Sequence, residues 1–225
     1  MANHVTTRFE LQEGNEEAKA YFKELADMCT QIRDEYIAAR ELAKVKGESY
    51  EGVTDVNCWA LFQDTTDMVM EKDWSSLIGR IGSKWACVDD WYDDSLTIIS
   101  AWSVPEDFIN RIVEEVNEID PLAIMSTTYD DEAPNFIGCA VYAEGEQWDS
   151  FELDESEYAQ FGLAFYWDED ENDGEEEPDD FEPTYEEAWN LLDDEVSSMV
   201  ESFKEYVRDR DDELLEEQQR YSGEL

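Results

Sequence analysis

"SKWACVDDWYDDSLTIISAWSVPEDFINRIVEEVNEIDPLAIMSTTYDD", residues 83–131, decides the fold. "SKWACVDDWY" and "SLTIISAWS" read as two strands joined by a tight acidic turn at Asp93-Asp94. "VPEDFINRIVEEVNEID" then changes period. Phe108, Ile109, Ile112, Val113 and Val116 share one helical face, and Pro105 suits the first turn. "PLAIMSTTYDD" returns to strand.

Working outward, "FIGCAVYAEG" adds a further strand after a turn near Ala133-Pro134. On the N-terminal side, "HVTTRFELQ" alternates Val5, Thr7, Phe9 and Leu11 as a half-buried strand does. The helix that follows carries Phe22, Leu25, Ala26, Cys29, Ile32 and Tyr36 at helical spacing, with Glu in its first turn, Lys in its last and Gly47 as its stop. Residues 48–82 form an insert in which "VNCWALF" fits strand or helix and "DWSSLIGRIG" reads as a short helix. The order is β-α-(insert)-β-β-α-β-β. A helix after the first strand and another after the third predicts an α+β fold of split βαβ type, an antiparallel sheet with helices on one face.

Beyond residue 145, "WDSFELDESEYAQFGLAFYW" reads as an acidic strand and loop extension over 146–182. "PTYEEAWNLLDDEVSSMVESFKEYVRDRDDELLEEQQR" is a long acidic C-terminal helix over 183–222, with Pro183-Thr184 as its start. Its stripe of Ala188, Leu192, Val196, Met199, Phe203, Tyr206 and Val207 either docks on the domain or pairs helices in a homodimer.

Charge narrows the function. The 225 residues carry 61 Asp plus Glu against 15 Lys plus Arg, a formal net charge of -46. A chain so acidic with few aromatics reads as disordered, but 13% aromatic and 42% apolar residues can build a core. Seven of the basic residues precede residue 47, and residues 112–203 hold 31 carboxylates and no Lys or Arg. Nucleic acid and anionic membrane repel such a segment; a basic protein is its natural partner. Cys29, Cys58, Cys87 and Cys139 sit among apolar neighbours and read as small core residues of a reducing cytoplasm, with disulfides or zinc as the alternatives. No apolar run approaches the roughly 20 residues of a membrane span, so the expectation is a soluble cytoplasmic protein.

"MANHVTTRFEL", "GSKW" at 82–85, "SAWSVP" at 100–105 and "NFIGCAVYAEG" at 135–145 resemble, in patches and in order, a family of small phage- and plasmid-encoded proteins described as a ferredoxin-like domain of unknown function. Trp85 and the Ala101-Trp102-Ser103 turn are the best matches; Glu106 stands where the family pattern has a second Pro. The resemblance spans about residues 1–145. It implies a mobile-element origin and a ferredoxin-like βαββαβ unit, and brings no catalytic residues.

Catalytic chemistry has little to stand on. His4 is the only histidine, so a Ser-His-Asp or Cys-His arrangement would depend on a residue in the first strand. "GRIGSKW" lacks the spacing of a phosphate loop, and among 61 acids no carboxylate pair can be singled out. Calcium is the next option for "FYWDEDENDGEEEPDDFEP", residues 165–183. Glu169, Glu171, Asp173, Gly174 and Asp180 fall at EF-hand positions, but Glu leads, Asp closes and a strand-like stretch precedes. A non-enzyme without metal or cofactor is the expectation.

Mimicry of DNA fits better. Duplex DNA carries about one charge per 1.7 Å, so 46 charges match roughly 20 to 25 base pairs. Carboxylates four residues apart on a helix are spaced by about 6 Å, close to phosphate spacing along a strand. The candidate partner-binding residues are Asp89, Asp90, Asp93 and Asp94 in the hairpin and Asp168, Glu169, Asp170, Glu171 and Asp173 in the acidic loop. On the last helix they are Glu186, Glu187, Asp193, Asp194, Glu195, Glu201, Glu205, Asp209, Asp212 and Glu213. Aromatics in "DDWYDD", "EQWDSFE" and "FYWDED" read as anchors for a partner or as core packing. The expected partner is a basic DNA-binding host protein of restriction, CRISPR, nuclease or nucleoid type, blocked by an anti-defence inhibitor of this kind. An acidic adaptor or chaperone for a basic protein, and a halophile's structural protein, are the alternatives.

Overall fold

Chain order runs β1 (His4–Glu13), α1 (Glu16–Lys46), β2 (Val56–Asn57), a 3-10 turn (Cys58–Leu61), β3 (Ala86–Trp91), β4 (Ser95–Ala101), α2 (Glu106–Ile119), β5 (Ile124–Asp131), β6 (Phe136–Ala143), β7 (Glu146–Asp154), a second 3-10 turn (Tyr158–Phe161) and α3 (Tyr185–Ser222). The computed structural model describes residues 3–47, 56–61, 82–83, 85–132, 135–154, 156–161, 163 and 185–222. The segment expected to form a short helix near 73–82 and the acidic stretch 165–183 lie essentially outside the described residues.

All strand pairings are antiparallel, in the order β2-β3-β4-β1-β5-β6-β7. The alternation read in β1 sets its register: Val5, Thr7 and Phe9 are buried, while Arg8 pairs across to Thr97 of β4 and Thr128 of β5. "VNCWALF" is neither strand nor helix throughout; two residues pair with β3 and the next four form the 3-10 turn.

Helix α1 starts where the Asn15 side chain accepts from the Glu17 and Ala18 N–H groups, which satisfies two donors of the first turn. Only its first half reaches the core, through Ala18, Phe22, Leu25, Ala26 and Cys29. Helix α2 buries the five residues its spacing predicts. Pro105 sits at the N-cap, one residue before the helix, where its missing N–H costs nothing. Phe9, Leu96, Ile98, Met125 and Tyr142 pack with α1 and α2 on one sheet face.

Helices on one face alone is a reading the structure corrects. Ile137, Cys139 and Val141 of β6 and Leu153 of β7 face the opposite side, where Ala188, Leu192, Val196, Met199 and Phe203 of α3 cover them. Strand β6 reads "FIGCAVYA" and is buried from Ile137 to Ala143. A strand apolar at every position has to be covered on both faces, so the extra layer follows from its composition. Beyond residue 145, β7 belongs to the same sheet. It is joined to β6 by Glu144 (φ 54°) and Gly145 (φ 84°), the left-handed pair that a two-residue hairpin requires. No helix among the described residues is long and apolar enough to cross a membrane.

Candidate partner-binding surface

The hairpin acids come first in the chain. A register shift between Val88 and Asp90 leaves Asp89 and Asp90 both exposed on β3. The turn closes through Tyr92 N–H to Ser95 O (2.9 Å) and is tied to β1 by Leu11 N–H to Asp94 O (2.9 Å). This tip is partly neutralised by α1. Lys23 Nζ lies 3.2 Å from Asp93 Oδ1, and Arg33 donates to the Asp89 carbonyl (2.6 Å) with its guanidinium 3.9 Å over the Trp91 ring. Asp93 and Trp91 therefore hold the hairpin to α1, whereas Asp90, Asp94 and the exposed Tyr92 face outward.

Helix α3 supplies the longer array. Its apolar stripe fixes its rotation about its own axis, which leaves Glu186, Glu187, Asp193, Asp194, Glu201, Glu205, Asp209, Asp212 and Glu213 exposed and Glu195 half-buried. Glu201, Glu205, Asp209 and Glu213 form one i, i+4 row. Tyr206, expected in the stripe, is 40% exposed and stacks at 4.9 Å on Trp148. Trp148 and Phe151, read as anchors or core, pack against the α3 layer. Basic residues on α3 mostly bind the helix to its neighbours. Lys204 Nζ contacts Glu13 Oε1 (2.5 Å) and Glu201 Oε1 (3.0 Å), and Arg210 reaches Glu144 in the β6–β7 turn.

Sequence position hides what joins the two groups. Glu10, on the β1 face opposite α1 and α2, is near enough to both Asp94 of the hairpin and Asp193 of α3 to feel their charges. Burial raises the Glu10 pKa most, Arg8 at 2.7 Å opposes it, and Asp193 and Asp94 raise it further. Cys139 lies beneath the same helix, pushed up to about 12 by burial first and then by Glu195, with Asp149 and Asp193 also near. Glu10 and Asp149 are thus members of the acidic surface missed in the sequence. The alternation of β1 placed Glu10 on the face away from Phe9, but only the position of α3 brings Asp193 to it. Asp168, Glu169, Asp170, Glu171 and Asp173 lie outside the described residues.

His4 Nδ1 lies 3.2 Å from Glu132 Oε2, and its ring is 6.0 Å from that of Trp85. No group of three or more metal-ligating side chains is present among the described residues. Cys29, Cys58 and Cys139 are buried in the two apolar layers, in keeping with their apolar neighbours in sequence. The chain matches no family model, no curated protein and no solved structure.

Proposed function

We propose that this chain is a non-enzymatic acidic inhibitor, of phage or plasmid type, that presents a DNA-like array of carboxylates to the basic DNA-binding site of a host defence or DNA-processing enzyme and excludes DNA from it. The observation that carries the reading is helix α3, docked on the sheet from Ala188 to Val207. Its 38 residues run for about 57 Å at 1.5 Å per residue, the length of roughly 17 base pairs at 3.4 Å per step. An apolar seam on the sheet keeps one edge of it acidic and directed outward. A rigid row loses little conformational freedom on binding, and a strongly negative surface steers a basic partner at long range.

The same proposal takes the central four strands as a ferredoxin-like split βαβ unit. Strands β3-β4-β1-β5 stand side by side, with α1 following β1 and α2 following β4. On this reading β2, β6, β7 and α3 are additions to that unit, and the additions carry most of the acidic helix surface.

The test is capture of bacterial lysate proteins on the chain at about 0.1 M salt, where the Debye length is still near 10 Å, with duplex DNA as competitor. The expected result is a DNA-handling enzyme that duplex DNA displaces. The variant E201Q/E205Q/D209N/E213Q binds that enzyme at least tenfold more weakly, while each single change costs two- to threefold, in line with exposed charges worth about 0.2–1 kcal/mol each. Capture that DNA does not displace, or of proteins without a DNA role, refutes the mimicry and favours an acidic adaptor.

A further inference from the structure

A groove lies between the N-terminal end of α2 and the outer strands β6 and β7. A cavity of about 440 Å³ lies there, lined among others by Trp102, Glu106, Tyr129, Phe136, Tyr142 and Glu152. A second cavity of about 260 Å³ shares Glu106, Tyr142 and Gln147 with it and adds Asn110, Glu114 and Glu146. The walls are aromatic and the polar groups are carboxylates or neutral; among the described residues none that lines either cavity is basic.

Three features show a built site. Tyr129 lies flat over β6 because residue 138 is glycine: a Cβ there would meet the Tyr129 hydroxyl at 2.5 Å and the Phe151 carbonyl at 2.8 Å. The Tyr129 hydroxyl donates to Glu152 Oε2 at 2.9 Å, which orients that carboxylate at the groove. Burial, then Glu152, raises the Tyr129 pKa, so the phenol remains the donor. Trp102 stands at the mouth in the left-handed region (φ 66°), which costs an aromatic residue energy and persists only where surrounding contacts enforce it. Those contacts are Trp102 N–H to Asn3 O (3.0 Å), Ala101 N–H to Trp85 O (3.1 Å) and Ser103 Oγ to Gly82 O (3.3 Å). The indole they hold is 51% exposed, beside Trp85 at 6.1 Å between ring centres.

Aromatic faces beside carboxylates complement a planar cation. We propose that the α2–β7 groove receives an arginine side chain of a basic protein partner, its guanidinium stacked on the aromatic walls and hydrogen-bonded to Glu106 and Glu152. Guanidinium suits the groove better than ammonium because it is planar, stacks on aromatic faces and binds carboxylates in a fork. This rests on the proposed function in taking the partner to be a basic protein, and it adds a specific contact to the diffuse attraction of the acidic surface.

The test uses the full chain labelled with ¹⁵N, and Nα-acetyl-arginine methylamide as probe against its neutral citrulline counterpart, at constant ionic strength. The Trp102 indole N–H signal, assigned with Trp102→Phe, shifts and saturates with the arginine probe at a Kd on the order of 1–10 mM. Citrulline binds at least tenfold more weakly. E106Q/E152Q weakens arginine at least tenfold with the rest of its spectrum unchanged, and E35Q/E41Q, on the far half of α1, leaves it as it was. Equal response to both probes, or an unsaturable drift that E106Q/E152Q does not alter, overturns the assignment. The two proposals fail separately. A groove indifferent to arginine, in a chain whose α3 row still captures a DNA-displaceable enzyme, overturns this one alone. An arginine-binding groove in a chain whose captured partner ignores the α3 row overturns the array and leaves the groove standing.

Discussion

Replacing Phe203 by Ala tests whether α3 is part of the folded unit or an appendage lying on it. The ring is 1% exposed, in the seam with Ile137, Val141 and Leu192, and meets the Trp148 indole edge-on at 5.1 Å between centres. Deleting a buried Phe side chain costs about 3–5 kcal/mol through lost burial and the cavity left behind. The aromatic contact places Phe203 toward the upper part of that range. With a urea m-value of about 3 kcal/mol/M, the upper end for small proteins, the unfolding midpoint falls by about 1.3–1.7 M. Helix and sheet are expected to go together, so tryptophan fluorescence and far-UV dichroism give one coincident transition at the lowered midpoint. A midpoint within about 0.3 M of the unsubstituted chain, with protease cleavage of α3 accelerated, refutes the reasoning. It would mean that α3 detaches without unfolding the sheet, and a detachable helix cannot present a rigid row.

Burial, with Asp131 beside it, raises the Asp130 pKa to about 6 from an ordinary value of 3.8. The folded state therefore binds the proton more tightly than the unfolded one, and this group's penalty, absent below about pH 3, grows as pH rises from about 3.8 to about 6 and is full above that. Asp130→Asn is expected to stabilise at pH 7.5 by about 1–2 kcal/mol, discounted for partial exposure, and to change nothing at about pH 2.5. Thermal melts at both pH values check it, and a gain that persists undiminished at about pH 2.5 contradicts it. Gly138→Ala drives a methyl into the Tyr129 ring and the Phe151 carbonyl; a loss of about 1–3 kcal/mol in urea unfolding is expected, and a neutral result would mean that Tyr129 does not lie against β6.

The local elements were legible because they depend on local period. In α2, all five predicted apolar positions are buried, since a 14-residue helix lying across a sheet has only one face to hide. The alternation in β1 was legible for the same reason. The placement of α3 was not. Its stripe from Ala188 to Val207 indicates an apolar face but not what that face meets, and the sheet face it meets belongs to residues some 50 positions earlier. The signal was present in β6, whose unbroken apolar run already called for two covering layers. Charge density was plain in the sequence, yet its grouping was not. Glu10, Asp94 and Asp193 come together only through strand order and the docking of α3. The groove residues escaped for a related reason, because Glu106, Tyr129 and Glu152 belong to three elements, each of which looks ordinary alone.

The distribution of the few cations bears on how so negative a chain holds together. An isolated exposed ion pair contributes little, but several here bridge elements remote in sequence. Lys23 links α1 to the β3–β4 turn, Arg33 links α1 to β3 by a hydrogen bond and a ring contact, Lys204 links α3 to β1, and Arg210 links α3 to the β6–β7 turn. At each of these junctions two acidic elements approach, and repulsion between them would otherwise work against the apolar contact beneath. A cation at the seam cancels the repulsion where it opposes packing and leaves the outer edge of α3 acidic. Adding lysines at the outer edge would lower the net charge just as well, but would remove the negative field on which the proposed partner binding rests. Cations at the joints and carboxylates at the rim are compatible both with a stable three-layer frame and with a surface made to be bound.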